Sequence, residues 1–330
     1  MTYAAALKAF EATPEVTVRF DNGAGPGAAG NPGSAYEHTY DALPIPSQQA
    51  TTWYLGENGA LSPTAPDRST VTGYTSDAQA TPATNFTGNP GAGGLWGNAS
   101  QWSWNWTQHP DSGTGATKNT AVSFVTEPLN EDTTIIGSGA VYLNLRSSTP
   151  DVDLMASVTE VRPDGTEVYV QSGYVRASNR VLDDTSDSHM KQPSTELEPI
   201  LSLRSRDVHS MPEGKFTPIA VPLYYQGHAY RAGSRIRITI SAPHGDQPVW
   251  SFDQTTPGEP SQVALALGPV GNGEDAASRL VLPVIPDQSI PTGYPACPSL
   301  RNQPCRDYEP ITNPVLSTGE VPFVALPKMK

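Results

Sequence analysis

The stretch that decides the fold is TEVRPDGTEVYVQSGYVRASNR, residues 159–180. On each side of Pro163-Asp164-Gly165, β-branched and aromatic residues alternate with polar ones. This pattern is typical of two antiparallel strands joined by a tight turn. The segment predicts a β-hairpin whose second strand ends in polar residues. It raises the question of whether such hairpins catalyse a reaction, bind a ligand or support a catalytic centre elsewhere.

Short runs of the same character follow one another from about residue 121. Gly, Pro and Asp clusters separate them, and no helical period lies between them. The runs are AVSFVTEPL, GAVYLNLRSS, DLMASVTEV, TEVYVQSGYVRAS, FTPIAVPLYY, SRIRITISAP, PVWSF and SQVALALG. Strands of this number and length predict two packed antiparallel sheets.

The N-terminal region has a different character. Residues 3–12, YAAALKAFEA, favour a helix because they are rich in Ala, and Pro14 ends it. VTVRF at 16–20 alternates like a strand, a Gly/Pro/Asn-rich connection covers 21–46, and TTWYL at 51–55 favours a second short strand.

These patterns divide the chain into three parts. Residues 1–50 comprise the helix, a strand and a linker. Residues 51–285 form the sandwich, with a Trp-rich surface excursion at 62–120 that shows little periodicity. Residues 286–330 are Pro-rich, and we expect them to wrap along the surface because they can hardly form a core of their own.

The composition narrows the function classes. The chain has 330 residues with 33 Pro, 29 Gly and only 37% hydrophobic residues, which suits an all-β domain with long connections. The net charge of -13 repels phosphate backbones and argues against a nucleic-acid partner. No apolar stretch approaches the length of a membrane span, so we expect no membrane partner either.

Cys297 and Cys305 are the only two cysteines. Their close spacing in a Pro-rich segment suits a small disulfide-closed loop, worth roughly 2–3 kcal/mol in the chain-entropy model. The alternative is two free thiols in a cytosolic protein. We favour an extracellular protein, although MTYAAALKAFEATPE lacks the basic start and apolar run of a signal peptide. Any signal would then precede Met1.

Sequence motifs for catalysis are missing. No serine stands in a G-x-S-x-G elbow, and neither an H-E-x-x-H motif nor a P-loop occurs. His244 beside Asp246 could act as a base, but a polar loop turn explains the pair more simply. Asp151 and Asp153 could bind calcium, but turn capping by their side chains is the simpler interpretation. We expect no catalytic residue, metal or cofactor in this chain.

GLWGNASQWSWNWTQHP holds four of the six tryptophans: Trp96, Trp102, Trp104 and Trp106. The last three alternate, so a strand would place all three indoles on one face. If exposed, that face could stack sugar rings or bind an apolar ligand. The alternative is that the rings bury the excursion against a neighbouring surface.

Residues 140–178 read AVYLNLRSSTPDVDLMASVTEVRPDGTEVYVQSGYVRAS. This segment resembles the C-terminal β-sandwich of the X-Pro dipeptidyl-peptidase and cocaine-esterase-like (CocE/NonD) hydrolases. Residues 151–154, DVDL, match a DTDF-like run. The turn at 163–165 matches the family's PDG turn, and residues 173–176 match its G-x-x-R strand. YRAGSRIRITISAP resembles the Gly-His-Arg strand, with Ser234 in place of His, so any role of that imidazole is absent.

The resemblance covers about residues 120–285 and implies a jelly-roll (galactose-binding-like) antiparallel sandwich. AALKAFEATPEVTVRFDNGAG, residues 5–25, resembles the passage that joins the hydrolase domain to the sandwich. In the family, the nucleophilic Ser, the Asp and the His lie in the preceding α/β-hydrolase domain, and none maps onto this chain. The chain is therefore expected to be a non-catalytic domain or companion subunit of a serine hydrolase acting on peptide or ester bonds. Its partner would be an α/β-hydrolase domain in cis or a separate subunit, whose cleft it shapes and which it stabilises.

Two other functions stay open at this point. One is a stand-alone extracellular carbohydrate-binding module that uses the Trp cluster. The other is a surface or capsid-like structural sandwich, which would form closed symmetric homo-oligomers.

Overall fold

The computed structural model describes residues 2–27, 33–77, 119–243, 260–269, 277–297 and 305–316. These residues form one α-helix, α1 (Tyr3–Glu11), and sixteen strands. The strands are β1 (Val16–Phe20), β2 (Tyr36–Tyr40), β3 (Gln49–Leu55), β4 (Leu61–Ser62), β5 (Val71–Ser76), β6 (Ala121–Val125), β7 (Thr133–Gly137), β8 (Ala140–Ser147), β9 (Asp153–Val161), β10 (Thr166–Arg176), β11 (Thr217–Pro222), β12 (Gln226–Tyr230), β13 (Arg235–Ser241), β14 (Ser261–Ala266), β15 (Arg279–Ile285) and β16 (Arg306–Asp307).

The predicted hairpin is confirmed as β9 and β10, which pair antiparallel. Gly165 adopts φ +85°, a left-handed conformation that costs glycine little, and its N–H donates to the Arg162 carbonyl at 3.0 Å. The Asp164 carboxylate accepts from the Thr166 N–H at 2.9 Å and closes the turn. A bulge between Tyr169 and Gln171 shifts the register further along β10.

Two antiparallel sheets share one hydrophobic core. The five-stranded sheet has the order β16-β10-β9-β13-β6. The larger sheet follows β12-β7-β15-β8-β14-β5, with β11 on β8, β3 on β15 and β4 on β3. Alternate residues from both sheets meet in the core, among them Leu143, Leu145, Leu154, Val158, Ile236 and Ile238. The all-β class is confirmed, while the jelly-roll connectivity stays a prediction.

Seven strands lie where the sequence patterns gave no strand, namely β2, β4, β5, β7, β12, β15 and β16. β2 falls inside the predicted connection 21–46, β5 falls inside the predicted excursion 62–120, and β15 was not identified. β5 contains Gly73, where a Cβ would collide with the Val263 carbonyl of β14, so tertiary contact explains this residue. β15 contains Pro283, which lowers its apparent strand propensity. The predicted strand PVWSF lies outside the described residues.

β1 and β2 form a separate two-stranded ribbon over a second, smaller core. Phe20 stacks on Tyr36 with ring centroids 5.0 Å apart, and both contact a cluster that includes Ile136. Asp21, directly after β1, forms a buried ion pair with Arg231 at 2.5 Å. The ribbon is therefore fixed to the sandwich by both apolar packing and a charge pair.

The C-terminal strap, residues 305–316, follows the Cys297–Cys305 disulfide and packs on the five-stranded sheet. Arg306 donates to Glu167 at 2.7 Å, and Arg237 donates to both Glu167 carboxylate oxygens at 3.0 Å. Further along, Asn313 exchanges two 2.9 Å hydrogen bonds with the backbone of Ser123. The strap thus adds a buried cation to the sandwich rather than only covering it.

Glu167 is fully buried and needs these partners. Burial alone would raise the pKa of its carboxyl, but the charges of Arg237 and Arg306, with their hydrogen bonds, hold that pKa below its usual value. The carboxylate is therefore ionised in the folded protein. Removal of its charge takes from Arg237 and Arg306 the carboxylate that both bind.

We expect Glu167→Gln to lower the free energy of unfolding by about 3–5 kcal/mol, because it breaks a buried charge cluster. Denaturant unfolding measures the change. Glu37→Gln is the matched control, since Glu37 pairs with Arg19 at 3.0 Å on the surface, and its cost should be below about 1 kcal/mol. Equal losses in the two variants would contradict the assignment.

The advantage of wild type over Glu167→Gln should depend on pH. The folded pKa of Glu167 is lowered, so its stabilising contribution is complete above the unfolded value of about 4.3 and is lost as pH falls through the folded pKa. Unfolding curves between neutral pH and pH ~3 should show the difference shrinking only below about pH 4. A constant difference would show that the carboxylate charge is not the cause.

Removal of the disulfide by Cys297→Ser with Cys305→Ser should cost about 2–3 kcal/mol in unfolding free energy. Reductant should bring the wild type down to the stability of this variant and leave the variant unchanged. If reductant leaves the wild-type unfolding curve where it was, the disulfide does not stabilise the strap.

Candidate functional site

A buried polar cluster lies where β9 and β12 face each other across the core. We name it the Glu160 cluster; it comprises Glu160, Arg162, His228 and Ser234. The Ser234 hydroxyl donates to Glu160 Oε1 at 2.7 Å. His228 Nε2 lies 3.3 Å and Arg162 Nε lies 3.7 Å from Glu160 Oε2. All four residues are buried.

The contacts to Glu160 Oε2 are electrostatic, because neither nitrogen is aligned for a hydrogen bond with it. Burial favours the neutral acid, yet His228, Ser234 and Arg162 together hold the pKa of Glu160 below its usual value. Burial, with the nearby Glu160 charge, raises the pKa of Tyr230 well above its ordinary value. The cluster therefore holds an ionised carboxylate beside a neutral phenol.

The cluster contains the residue types of a hydrolase triad in the wrong order. In a triad the imidazole lies between the serine and the acid, so that it can take the hydroxyl proton. Here the carboxylate of Glu160 lies between Ser234 and His228. Ser234 and Glu160 are also fully buried, so no substrate reaches them. The arrangement stabilises the fold and provides no nucleophile.

His228 brings an imidazole to the cluster from a position that the family resemblance did not indicate. Ser234 stands where the family has His, and its hydroxyl binds the carboxylate that lies 3.3 Å from His228 Nε2. The sequence did carry one signal, since Glu160 continues the apolar row Leu154, Ala156, Val158 on the core face of β9. A carboxylate at such a position needs buried partners.

The structure places the other candidate residues as follows. Trp96, Trp102, Trp104 and Trp106, and the pair His244 and Asp246, lie outside the described residues. Cys297 and Cys305 form the predicted disulfide. Within the described part of the chain, no group of three or more His, Cys, Asp or Glu side chains could hold a metal ion.

The two aspartates considered for calcium have structural partners. Asp151 Oδ1 accepts from the backbone N–H groups of Val152 at 3.0 Å and Ser178 at 2.8 Å. Asp153 pairs with Arg176 through two 2.8 Å hydrogen bonds across the hairpin. Asp151 thus binds backbone N–H groups, as the capping interpretation predicts. Asp153 instead joins the two strands of the hairpin through Arg176.

Helix α1 presents an uncovered apolar face, the α1 stripe, formed by Tyr3, Leu7 and Phe10. A spacing of four and then three residues puts these side chains on one side of the helix. Tyr3 is 82% and Phe10 is 74% exposed, and no residue of α1 is buried. No helix among the described residues is both long and apolar enough to cross a membrane.

A groove of about 380 Å³ begins where the chain enters β1. Its walls come from β1, β7, β10 and β12, and Leu43 and Tyr225 lie at it with 55% of each side chain exposed. We name it the β1 groove. Apolar residues Val16, Val18 and Ile136 line it beside Arg19 and Gln226. The groove is open to solvent, and its lining combines apolar, polar and charged side chains.

Comparisons with known proteins identify the fold's relatives. The model of the family described as X-Pro dipeptidyl-peptidase C-terminal non-catalytic domain matches residues 8–263. Among solved structures, a CocE/NonD family hydrolase from Staphylococcus aureus is 18% identical with a TM-score of 0.53, over 84% of this chain and 42% of that one. An α-amino acid ester hydrolase is 18% identical with a TM-score of 0.51, over 76% and 39%. An aminopeptidase from a marine sediment Thaumarchaeota archaeon is 16% identical with a TM-score of 0.50, over 76% and 39%.

No curated protein matches the sequence. The chain spans about two-fifths of the length of the solved structures that it resembles. At these identities the structural likeness shows the fold, whereas the family match covers most of the chain. The comparisons support the non-catalytic hydrolase domain and not the carbohydrate-binding alternative. The chain belongs to the family of X-Pro dipeptidyl-peptidase C-terminal non-catalytic domains.

Proposed function

We propose that this domain docks through the α1 stripe and the β1 groove onto an α/β-hydrolase domain, in cis or as a separate subunit. There it forms one wall of the substrate cleft and stabilises the catalytic domain, which hydrolyses peptide or ester bonds. The observation that carries the proposal is the uncovered helix α1. Of the helices and strands that the structure describes, it is the one that exposes a row of large apolar side chains.

Helix α1 needs a partner for its own stability. An isolated helix shorter than about 12 residues is marginal in water, because nucleation costs more than a few hydrogen bonds return. The Thr2 cap, which accepts from the Ala5 N–H at 3.3 Å, adds little to this. Burial of Tyr3 and Phe10 would contribute about 1.5–3 kcal/mol each. A covering surface would therefore fix the helix and bind the domain at once.

The sandwich provides a stiff base for this contact. Asp21 at the end of β1 is held by Arg231, which also donates to the carbonyls of Ala229 at 2.8 Å and Gly293 at 3.0 Å. The Glu160 cluster ties β9 to β12 nearby. These buried contacts join β1 and β12 to the core of the sandwich.

We also propose an extracellular or otherwise oxidising location, which the Cys297–Cys305 disulfide supports. When cells are harvested into an alkylating reagent, Cys297 and Cys305 should carry no label, because a disulfide leaves no free thiol to react. Labelling of both thiols in native material would place the domain in a reducing compartment instead.

The isolated chain should hydrolyse neither X-Pro p-nitroanilides nor short-chain p-nitrophenyl esters above the buffer rate, because the buried Ser234 has no base. Steady-state assays at increasing protein concentration check this. Turnover that copurifies with the chain and disappears in Ser234→Ala or His228→Ala would contradict the non-catalytic role.

Docking should depend on the α1 stripe. Tyr3→Ser with Phe10→Ser should weaken binding to the α/β-hydrolase domain encoded beside or in frame with this chain by about 100-fold or more, given roughly 1.5–3 kcal/mol for each buried side chain. Calorimetry or surface plasmon resonance measures the affinity. Leu203→Ser is the matched control, since Leu203 is 61% exposed on a distant loop. Equal binding by both variants, or no such hydrolase domain in the genome, would contradict the proposal.

A further inference from the structure

We infer that a small cleft beside β8 binds an oxyanion, a carboxylate or phosphate group, between Arg180 and Arg279. The cleft has a volume of about 130 Å³. It lies on the side of β8 away from the core, because Leu143 and Leu145 face the core and Tyr142 and Asn144 therefore point the other way. This inference does not depend on the docking proposal.

Among the described residues, no carboxylate forms an ion pair with the buried cation Arg180. Arg180 lines the cleft and is only 5% exposed. Nη1 donates to the carbonyls of Ala177 at 3.0 Å and His209, and Nη2 donates to Ser210 at 3.3 Å. Its Nε has no hydrogen-bond acceptor among the described residues, and the carboxylate charge that acts on it there is that of Asp151.

A buried charge without a partner is costly, and backbone carbonyls offset only part of the cost. Burial lowers the pKa of Arg180, and the charge of Asp151 only partly opposes this. Asp151 is already occupied by the N–H groups of Val152 and Ser178. An anion in the cleft would supply the charge that the described residues do not provide.

Arg279 brings a second guanidinium to the cleft. β15 places it opposite Tyr142 of β8, and its guanidinium lies 4.5 Å over the Tyr142 ring. Its partner Glu196 is 3.5 Å away and 48% exposed, so this ion pair is long and hydrated. An anion could therefore replace Glu196 at Arg279 at little cost.

Two guanidinium groups favour an oxyanion, since planar N–H pairs match the oxygens of carboxylate and phosphate. Leu182, Pro218 and Ala220 form apolar walls that strengthen the attraction by excluding water. The volume limits the bound group to a few non-hydrogen atoms, such as acetate, phosphate or the terminal carboxylate of a larger molecule. A group of that size binds in the millimolar range.

The test uses the full chain and two probes, acetate and inorganic phosphate, each titrated against chloride at constant ionic strength. The midpoint of thermal unfolding should rise saturably with at least one of them. Arg279→Gln should raise the apparent dissociation constant about tenfold or more, as expected for loss of a charged hydrogen-bond partner. The arm that saturates at the lower concentration distinguishes carboxylate from phosphate as the preferred group.

Arg235→Gln is the matched control, because Arg235 is a half-buried strand arginine whose Nη1 contacts the Thr126 carbonyl at 3.4 Å, and the charge change is the same. It should respond like the wild type. Identical responses in Arg279→Gln and the wild type, or no saturable response at all, would overturn the inference.

A second measurement avoids reliance on stability. Saturation-transfer NMR should detect the acetate methyl group on the wild type and on Arg235→Gln, and should lose it on Arg279→Gln if acetate is the preferred probe. For phosphate, the ³¹P line width serves the same purpose. If Arg180→Met folds, it should abolish binding of the probe. If that variant does not fold, the result for Arg279→Gln decides the question.

Discussion

The structure depends on one constraint, the burial of two apolar sheet faces against each other. This fixes the register of every inner strand, because a slip by one residue would turn the apolar row of β9 outward and its polar row inward. The same row ends in Glu160, so the core itself places a carboxylate between the sheets. His228, Ser234 and Arg162 are required there as a consequence. The packing of the core thus determines where a buried charge must be compensated in this fold.

Buried charges are compensated wherever they join separate parts of the chain. Asp21 with Arg231 fixes the N-terminal ribbon, and Glu167 with Arg306 fixes the C-terminal strap. Each pair joins residues more than one hundred positions apart, so its cost is offset only when the native topology has formed. Arg180 departs from this pattern, since among the described residues its guanidinium binds carbonyls but no carboxylate. That exception is what distinguishes the cleft beside β8 from the structural ion pairs.

The same interior shows why the Glu160 cluster does not act as a catalytic triad. Its serine, histidine and glutamate meet in an order that neutralises charge and excludes solvent, whereas a reactive centre needs an accessible nucleophile with its own base. The surfaces that we propose for a partner are the α1 stripe and the β1 groove, which lie at the exterior of the domain. Its contribution would be shape and buried area.

The sequence by itself determined the β9–β10 hairpin, the all-β class, helix α1, the disulfide and the family, because each depends on alternation, propensity or motif spacing within a short stretch. It left β2, β4, β5, β7, β12, β15 and β16 unidentified. In β5 and β15, Gly73 and Pro283 weaken a local strand pattern that cross-strand contacts then override. Only the tertiary structure brought His228 and Ser234 to Glu160, Arg306 to Glu167 and Arg279 to the cleft of Arg180. These contacts join positions far apart in the chain, and no local pattern encodes which distant residue will supply the opposite charge.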